Sequence, residues 1–471
     1  TRATAATRVD ENGLVNYALG VEEVTNGDFS NGSTDWTPYG STFVVSNANP
    51  YNGNDTALFT ASGVNGAKVT QSISTVVGNT YHLSCYAQYN SGNNTHIEIE
   101  GVLEYPNGLE INNSITTWTY LETSFTATST TSVVAIRERG GNNNASCYSY
   151  GLSVKEVNNV PRIDYTGGGC PHILAEPMRT NTSAISNELD LWANKINVTI
   201  TPDYSLSPDG SINSNRLLFS ANGFTYNNIL QVISTVYSLS VYAKRNSGTE
   251  DVGFFTNGSG GVNYAFNLTS EWQRFEYTYT SSNTSTFGIA GLSGADVSIF
   301  GFQSEVGSYP TSYIPTSGIT VTRNQDIFTR DGIGSLINST EGVLFIEMAA
   351  LSDDGTYRQL TLSDGTTVNR ILVDFTVASN QIRVFCASGG VSQVSETFDI
   401  ISSLSFNKIA FKYKLNDFAL WVNGVEVATD TSGSVPTGLN KLAFDNGEGS
   451  YPFFGKVKQL QVYDTALTDE Q

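Results

Sequence analysis

The sequence is short of the residues that most chemistry needs. Its 471 residues include only 3 His and 4 Cys. None of them falls into a CxxC, HxxxH or HExxH spacing, so no zinc site can be read from it. No Gly-rich loop stands between a strand and a helix, which removes the phosphate-cradling motifs. Basic residues number 24 against 44 acidic, a net charge of −20. Without clustered Lys and Arg to neutralise phosphates, a nucleic-acid partner is excluded. No apolar run approaches the ~18 residues of a membrane-spanning helix and no basic amphipathic stretch exists, so no membrane insertion is expected. The N-terminus lacks the apolar core of a signal peptide. Because the chain starts at Thr1 without Met and stops at Gln471 just after an acidic turn, it reads as a piece of a longer polypeptide. With 2 Met, 14% charged residues and few Ala/Glu/Lys/Leu runs, it is also poor in helix-forming text.

What is abundant is turn and strand chemistry: 44 Gly, 24 Tyr and 24 Phe, with Asn, Ser and Thr between them. Short strand-like runs alternate with turns such as Asn52-Gly53, Asn65-Gly66, Asn107-Gly108 and Asn423-Gly424. This predicts an all-β chain of sandwiches rather than βαβ units. Self-comparison adds a repeat. Gln71-Ser72-Ile73-Ser74-Thr75-Val76 leads into Tyr81-His82-Leu83-Ser84-Cys85-Tyr86-Ala87, and Gln231-Val232-Ile233-Ser234-Thr235-Val236 leads into Tyr237-Ser238-Leu239-Ser240-Val241-Tyr242-Ala243. Trp118 then matches Trp272, and Tyr150-Gly151-Leu152 matches Phe300-Gly301-Phe302. The expected organisation is three jelly-roll-like β-sandwiches in series: 16–157, a second copy of the same type at 183–310, and a different one at 336–471. Pro- and Gly-containing connectors at 1–15, 158–182 and 311–335 separate them and are expected to hold the modules at set angles.

The tryptophans Trp36 and Trp192, like Trp118 and Trp272, recur at matching points of the repeat. Recurrence is what core packing gives, so these four are read as scaffold, and Trp421 as core. The tyrosines that do not recur, Tyr39, Tyr51 and Tyr105, sit in loops of the first module and are the ligand-binding candidates. No catalytic residues are assigned. Asp353-Asp354-Gly355, Ser363-Asp364-Gly365 and Asp445-Asn446-Gly447 read as turns, and Asp445 with Asn446 is the preferred Ca²⁺ candidate. No other cofactor is expected. His82, aligned with Ser238, reads as an exposed strand position, His96 as part of a turn, and His172 as part of a connector. Cys85 and Cys147, aligned with Val241 and Val297, read as small core hydrophobes. A Cys85–Cys147 disulfide is the alternative.

Several stretches resemble three known families. Ala419-Leu420-Trp421-Val422-Asn423-Gly424-Val425-Glu426-Val427, followed by Gly455–Tyr463 and Ala466–Gln471, resembles the end of a concanavalin A-like lectin/glucanase (laminin G-like) sandwich. The Glu-x-Asp-x-x-Glu strand of that family's glucanases is missing from the third module. Thr25-Asn26-Gly27-Asp28-Phe29-Ser30 with Asp35-Trp36 is similar to the entry of galactose-binding-like carbohydrate-binding modules. Many of those hold Ca²⁺ through an acidic residue near the last strand. Here Tyr148-Ser149-Tyr150-Gly151-Leu152 carries no carboxylate. Thr1–Leu14 and Val160–Asn181 resemble two halves of a phrase common in virion appendage proteins of tailed bacteriophages, which makes the first module an insertion between them. Tyr309–Gly318 is similar in style. The resemblance implies a tail fibre, tailspike or capsid fibre: a homotrimer in the virion, assembled in the host cytoplasm. Its partners would be other virion proteins and host surface glycan, bound through several weak sites at once. The alternatives are a purely structural decoration or connector without a glycan site, or a polysaccharide depolymerase.

Overall fold

The computed structural model describes residues 6–139, 144–157, 160–227 and 229–468. Residues 1–5 of the opening phrase, 158–159 of the first connector and 469–471 of the closing stretch lie outside the described residues. The chain forms two compact units: residues 18–160, and residues 6–17 together with 161 onward. The first module therefore interrupts the second unit, as an insertion does. Apart from two single 3₁₀ turns at Leu189–Leu191 and Gly334–Leu336, the described regular elements are strands.

Residues 18–160 make a sandwich of two five-stranded antiparallel sheets. The first runs, in spatial order, Thr119–Thr126, Thr80–Ser91, Ser146–Glu156, Asn54–Ala61 and Ser41–Tyr51. The second runs Thr37–Tyr39, Lys68–Ser74, Thr131–Glu138, Thr95–Ile99 and Leu109–Ile111. Strict alternation sets the faces. On Thr80–Ser91 the residues Tyr81, Leu83, Cys85 and Ala87 enter the core, which sends His82, Ser84, Tyr86 and Gln88 to the outer side. Trp36 is in the core as expected, packed against Phe29 and Phe43, and its indole Nε1 donates to the Asn26 carbonyl at 3.1 Å.

The second sandwich repeats the first sheet strand for strand: Gln273–Thr280, Val236–Ser247, Asp296–Val306, Asn215–Tyr226 and Asn194–Thr201. Register repeats too, since Tyr86 faces Tyr120 and Tyr150 while Tyr242 faces Arg274 and Phe300. Beyond that the copies diverge. Val252–Phe255, Gly288–Gly291 and Tyr264–Ala265 continue from Asn215–Tyr226, and all eight strands share one sheet. The closely similar runs Gln71–Val76 and Gln231–Val236 are not structural equivalents. Gln71–Ser74 is strand, whereas residues 231–235 form a turn with Ser234 at φ +61°. A matching hydroxyl bond survives in both: the Val76 N–H donates to the Tyr81 Oη at 2.9 Å, and the Val232 N–H donates to the Tyr237 Oη at 3.0 Å.

The third sandwich stacks a seven-stranded sheet on a six-stranded one, with Leu344, Ile346, Val373, Val384, Phe411 and Leu420 between them. The segments expected as plain connectors are built into this unit. His172–Ala175 pairs with Gly455–Tyr463, Arg179–Asn181 with Val321–Arg323, and Thr329–Arg330 with Lys441–Ala443. At their meeting point lies a buried ion cluster. Arg162 donates to Glu176 at 2.6 Å, to the Ser312 hydroxyl at 2.7 Å and to the Thr7 carbonyl at 3.2 Å, and it also pairs with Asp326. Arg323 pairs with Glu176 and donates to the Pro177 carbonyl at 2.7 Å. Burial alone would raise the Glu176 carboxyl; Arg162 and Arg323 outweigh it and hold the carboxyl well below the usual carboxylate range.

The histidine readings need correction. His82 is buried on its strand, with Nε2 2.9 Å from Glu122. His96 is buried in Thr95–Ile99, a strand buried throughout, and not in a turn. His172 is buried in His172–Ala175, 3.5 Å from Asp164. All four cysteines are free; Cys85, Cys147 and Cys386 are buried and Cys170 is exposed. Cys85 and Cys147 pack in the first core as small apolar groups, and burial pushes the Cys147 thiol up to about 12.

Candidate functional site

The outer face of the first sheet in the 18–160 unit is aromatic. Tyr86 and Tyr120 sit opposite each other on adjacent strands, with ring centroids 5.0 Å apart. Tyr150 reaches the same side from Ser146–Glu156, where a bulge between Tyr150 and Ser153 resets the alternation. Trp118 enters just before Thr119–Thr126 and lies half-buried, 6.4 Å from Tyr148. Its indole N–H is buried and has no acceptor among the described residues.

Tyr51 completes the cluster. It ends the Ser41–Tyr51 strand at an Asn52-Gly53 turn, with Asn52 at φ +48°, and its ring stacks on Tyr86 at 4.3 Å. The same ring meets Trp118 edge-on at 5.4 Å and Tyr150 at 5.2 Å. Burial, then the neighbouring Tyr86 phenol, pushes the Tyr51 hydroxyl up to about 12, so it is a neutral donor at ordinary pH. The hairpin is pinned by Asn49, whose amide donates to Gln88 at 2.7 Å, while Gln88 donates to the Thr116 carbonyl at 2.6 Å. The chemistry on offer is flat apolar ring area with amide and hydroxyl groups beside it. That suits the C–H face and hydroxyl rim of a pyranose.

The matching face of the second sandwich is covered by its own unit. Val15, Phe300 and Tyr313 form a small buried cluster with Tyr242 and Trp272 against it. Tyr313 lies 5.3 Å from Phe300 over the bulge glycine Gly301, and its hydroxyl is 2.7 Å from that of Ser186. Trp272 donates its indole N–H to the Leu206 carbonyl at 3.0 Å, unlike that of Trp118.

The three tyrosines expected to bind ligand do not converge. Only Tyr51 joins the aromatic face. Tyr39 is 58% exposed on Thr37–Tyr39 at one edge of the second sheet. Tyr105 is 60% exposed before Leu109–Ile111 at the opposite edge, where its ring meets His96 at 5.1 Å. Trp118, Trp272 and Trp421 are half-buried rather than core; Trp421 points away from Phe418, Leu420 and Val422, and Lys412 lies 5.7 Å above its ring. Tyr86, Tyr120 and Tyr150 were missed. The available signal was parity: each stands out of step with core neighbours such as Cys85 and Ala87. Asp445 and Asn446 use their side-chain oxygens within their own turn. Asp445 accepts the Gly447 N–H at 2.7 Å, and Asn446 accepts those of Glu448 and Ser450, each at 3.0 Å. Arg370, a cation, donates to the Asn446 carbonyl at 2.9 Å, so this donor set does not suit a calcium ion. Among the described residues no group of three or more His, Cys, Asp or Glu is arranged to hold a metal ion.

Comparison with known proteins agrees with two of the sandwiches. Residues 21–143 match a family described as a carbohydrate binding domain. Residues 345–471 match the concanavalin A-like lectin/glucanases superfamily. No curated protein matches the chain. Among solved structures, the CBM40 of the Ruminococcus gnavus IT-sialidase bound to α2,3 sialyllactose is 18% identical, covers 30% of this chain and 95% of its own, with a TM-score of 0.26. The tandem CBM22 domains of Paenibacillus barcinonensis Xyn10C are 12% identical, covering 65% and 100% with a TM-score of 0.24. Domains LG4-5 of the mouse laminin alpha1 chain are 9% identical, covering 61% and 89% with a TM-score of 0.21.

Proposed function

We propose that this chain is a non-catalytic glycan-binding segment that holds its ligand on the outer face of the first sandwich, with Tyr51, Tyr86, Tyr120, Tyr150 and Trp118 as the stacking surface. One observation carries the reading. Of two sheets built to the same register, one has no Val15- or Tyr313-like cover over its aromatic face among the described residues of its own unit. The carbohydrate binding domain match over residues 21–143 supports it. The biological setting we propose is a bacteriophage virion fibre, a homotrimer that recognises host surface glycan beside other virion proteins. That setting is supported by the connector text alone, of which residues 6–14 and 161–181 belong to one unit. Covering of the second sandwich's face favours, for that copy, a structural role instead.

The test is a glycan-array scan of the whole chain, with and without EDTA. The expected result is binding to one glycan class that drops at least tenfold, about 1.4 kcal/mol, in Tyr86→Ala or Tyr120→Ala. Tyr39→Ala and Tyr105→Ala should leave it unchanged. An array that stays silent with the folded chain would leave the structural reading standing for both copies. Loss of binding with EDTA would restore a calcium requirement.

A further inference from the structure

Among the described residues, the third sandwich carries a cation with no carboxylate paired to it. On the strands Arg370–Phe375 and Gln381–Ser388, the residues Ile371, Val373, Phe375, Ile382 and Val384 enter the core. Arg370, Asp374, Arg383 and Phe385 therefore share the outer face of the six-stranded sheet, with Asp374 directly opposite Arg383. Asp374 is fully buried and accepts from Arg383 Nε at 3.2 Å and Nη2 at 2.6 Å, and from Gln359 at 2.8 Å. On the neighbouring strand, Arg358 pairs with Asp354 at 2.8 Å. Arg370 has no such partner among the described residues. Its Nη1 donates to a neutral carbonyl, that of Asn446, and its Nε is buried with no acceptor.

The surroundings make this costly. Arg370 lies 5.2 Å over one ring, Phe385, and Arg383 lies 5.8 Å over the same ring. Burial and the like charge of Arg383 both work against the Arg370 cation. Glu448 and Asp374 lend some field, but the Glu448 carboxylate is engaged by the Thr367 N–H at 3.0 Å and the Asp374 carboxylate by Arg383 and Gln359. A half-buried guanidinium beside another, without its own carboxylate, is stabilised by an anion that arrives from outside. Further rings lie on the Arg383 side of the same face. Arg383 sits 5.4 Å over Tyr357, and Tyr357 meets Tyr451 edge-on at 5.7 Å. Tyr451 is 55% exposed and sits at φ +52°, a left-handed conformation that costs a bulky residue free energy. The Gln359 N–H donating to its carbonyl at 3.3 Å and the Gln359–Pro452 bridge hold it there.

We propose that this face binds an acidic sugar, with Arg370 taking the anionic group in its planar fork and the exposed Tyr451 ring stacking on a neighbouring pyranose of the same oligosaccharide. This second site lies in a different sandwich from the aromatic face of residues 18–160 and does not depend on it.

The test is calorimetric titration of the whole chain in a Tyr120→Ala background, so that the first face contributes little. The probes are a galacturonic acid trisaccharide, a sulfated galactose trisaccharide and a neutral galactose trisaccharide. One or both acidic probes should bind at least tenfold more tightly than the neutral one, and more weakly as salt rises. Which acidic probe wins identifies carboxylate or sulfate as the anion. Arg370→Gln should cost tenfold or more while Arg370→Lys retains part of the affinity. Should Arg370→Gln fail to fold, Tyr451→Ala at an exposed position gives the same readout. Equal affinity for the neutral sugar overturns the proposal. So does silence with both acidic probes at millimolar concentration, or unchanged affinity in both Arg370→Gln and Tyr451→Ala. None of these outcomes bears on the first sandwich.

Discussion

Tyr120 and Arg274 occupy one register position in two copies of the same sheet, opposite Tyr86 and Tyr242. The exchange changes what lies over each face. Arg274 lies 5.7 Å over Tyr242 and donates to the Thr311 carbonyl at 2.5 Å, fastening residues 311–313 to the sheet. Tyr120 leaves its ring 43% exposed. Histidine burial has a consequence at the same scale. Burial lowers the His172 imidazole to about 4; Lys456 and Lys458 add to the shift and Asp164 opposes it. The unfolded chain, with an ordinary His near 6.5, takes up a proton over a range where the folded chain does not. The His172 contribution to stability is therefore complete above pH ~6.5 and is lost as pH falls from there towards about 4. His96, lowered by burial as well, acts with the same sign in the other unit. Melting temperature followed against pH should fall through this window, and more shallowly in His172→Gln. An unchanged slope in that variant would rule the account out.

At the scale of elements, the bulge glycines Gly151 and Gly301 do the same backbone work at φ +63° and +65°. Their surroundings differ. A Cβ on Gly301 would come within 3.2 Å of the Tyr313 ring, while on Gly151 the nearest atom, from Tyr86, is 3.9 Å away. Both alanine variants carry the left-handed strain of roughly 1 kcal/mol or more. Gly301→Ala adds the displacement of Tyr313, so it should cost about 1 kcal/mol more than Gly151→Ala. Urea denaturation of the two variants checks the difference, and equal costs would remove Tyr313 from the explanation.

On the scale of the whole molecule, the segments between sandwiches behave as structure. Arg162, Glu176, Arg323 and Asp326 bring together residues far apart in sequence, and each is buried. Removing one member leaves charge buried without a partner, so Arg162→Ala should destabilise the unit of residues 6–17 and 161 onward by about 3–5 kcal/mol. Hydrogen exchange would report lost protection there, with amides of residues 18–160 unaffected. Uniform loss across both units, or none, would contradict this.

Sequence alone determined the all-β class, a repeat between residues 16–157 and 183–310, of which the structure keeps one sheet, and the core roles of Trp36, Trp192, Cys85 and Cys147, because alternation and turn residues act over a few neighbours. It could not separate the two copies' fates: Tyr86 and Tyr242 read alike, and only the placing of Val15 and Tyr313 covers one of them. The Gln71 and Gln231 runs read alike too, yet one is strand and the other turn. The pairing of Arg383 with Asp374, the bond from Arg370 to the Asn446 carbonyl and the ion cluster at Arg162 join strands or segments set beside one another by the fold. Contacts across such distances in the chain are set by how sheets pack, which no local pattern of residues records.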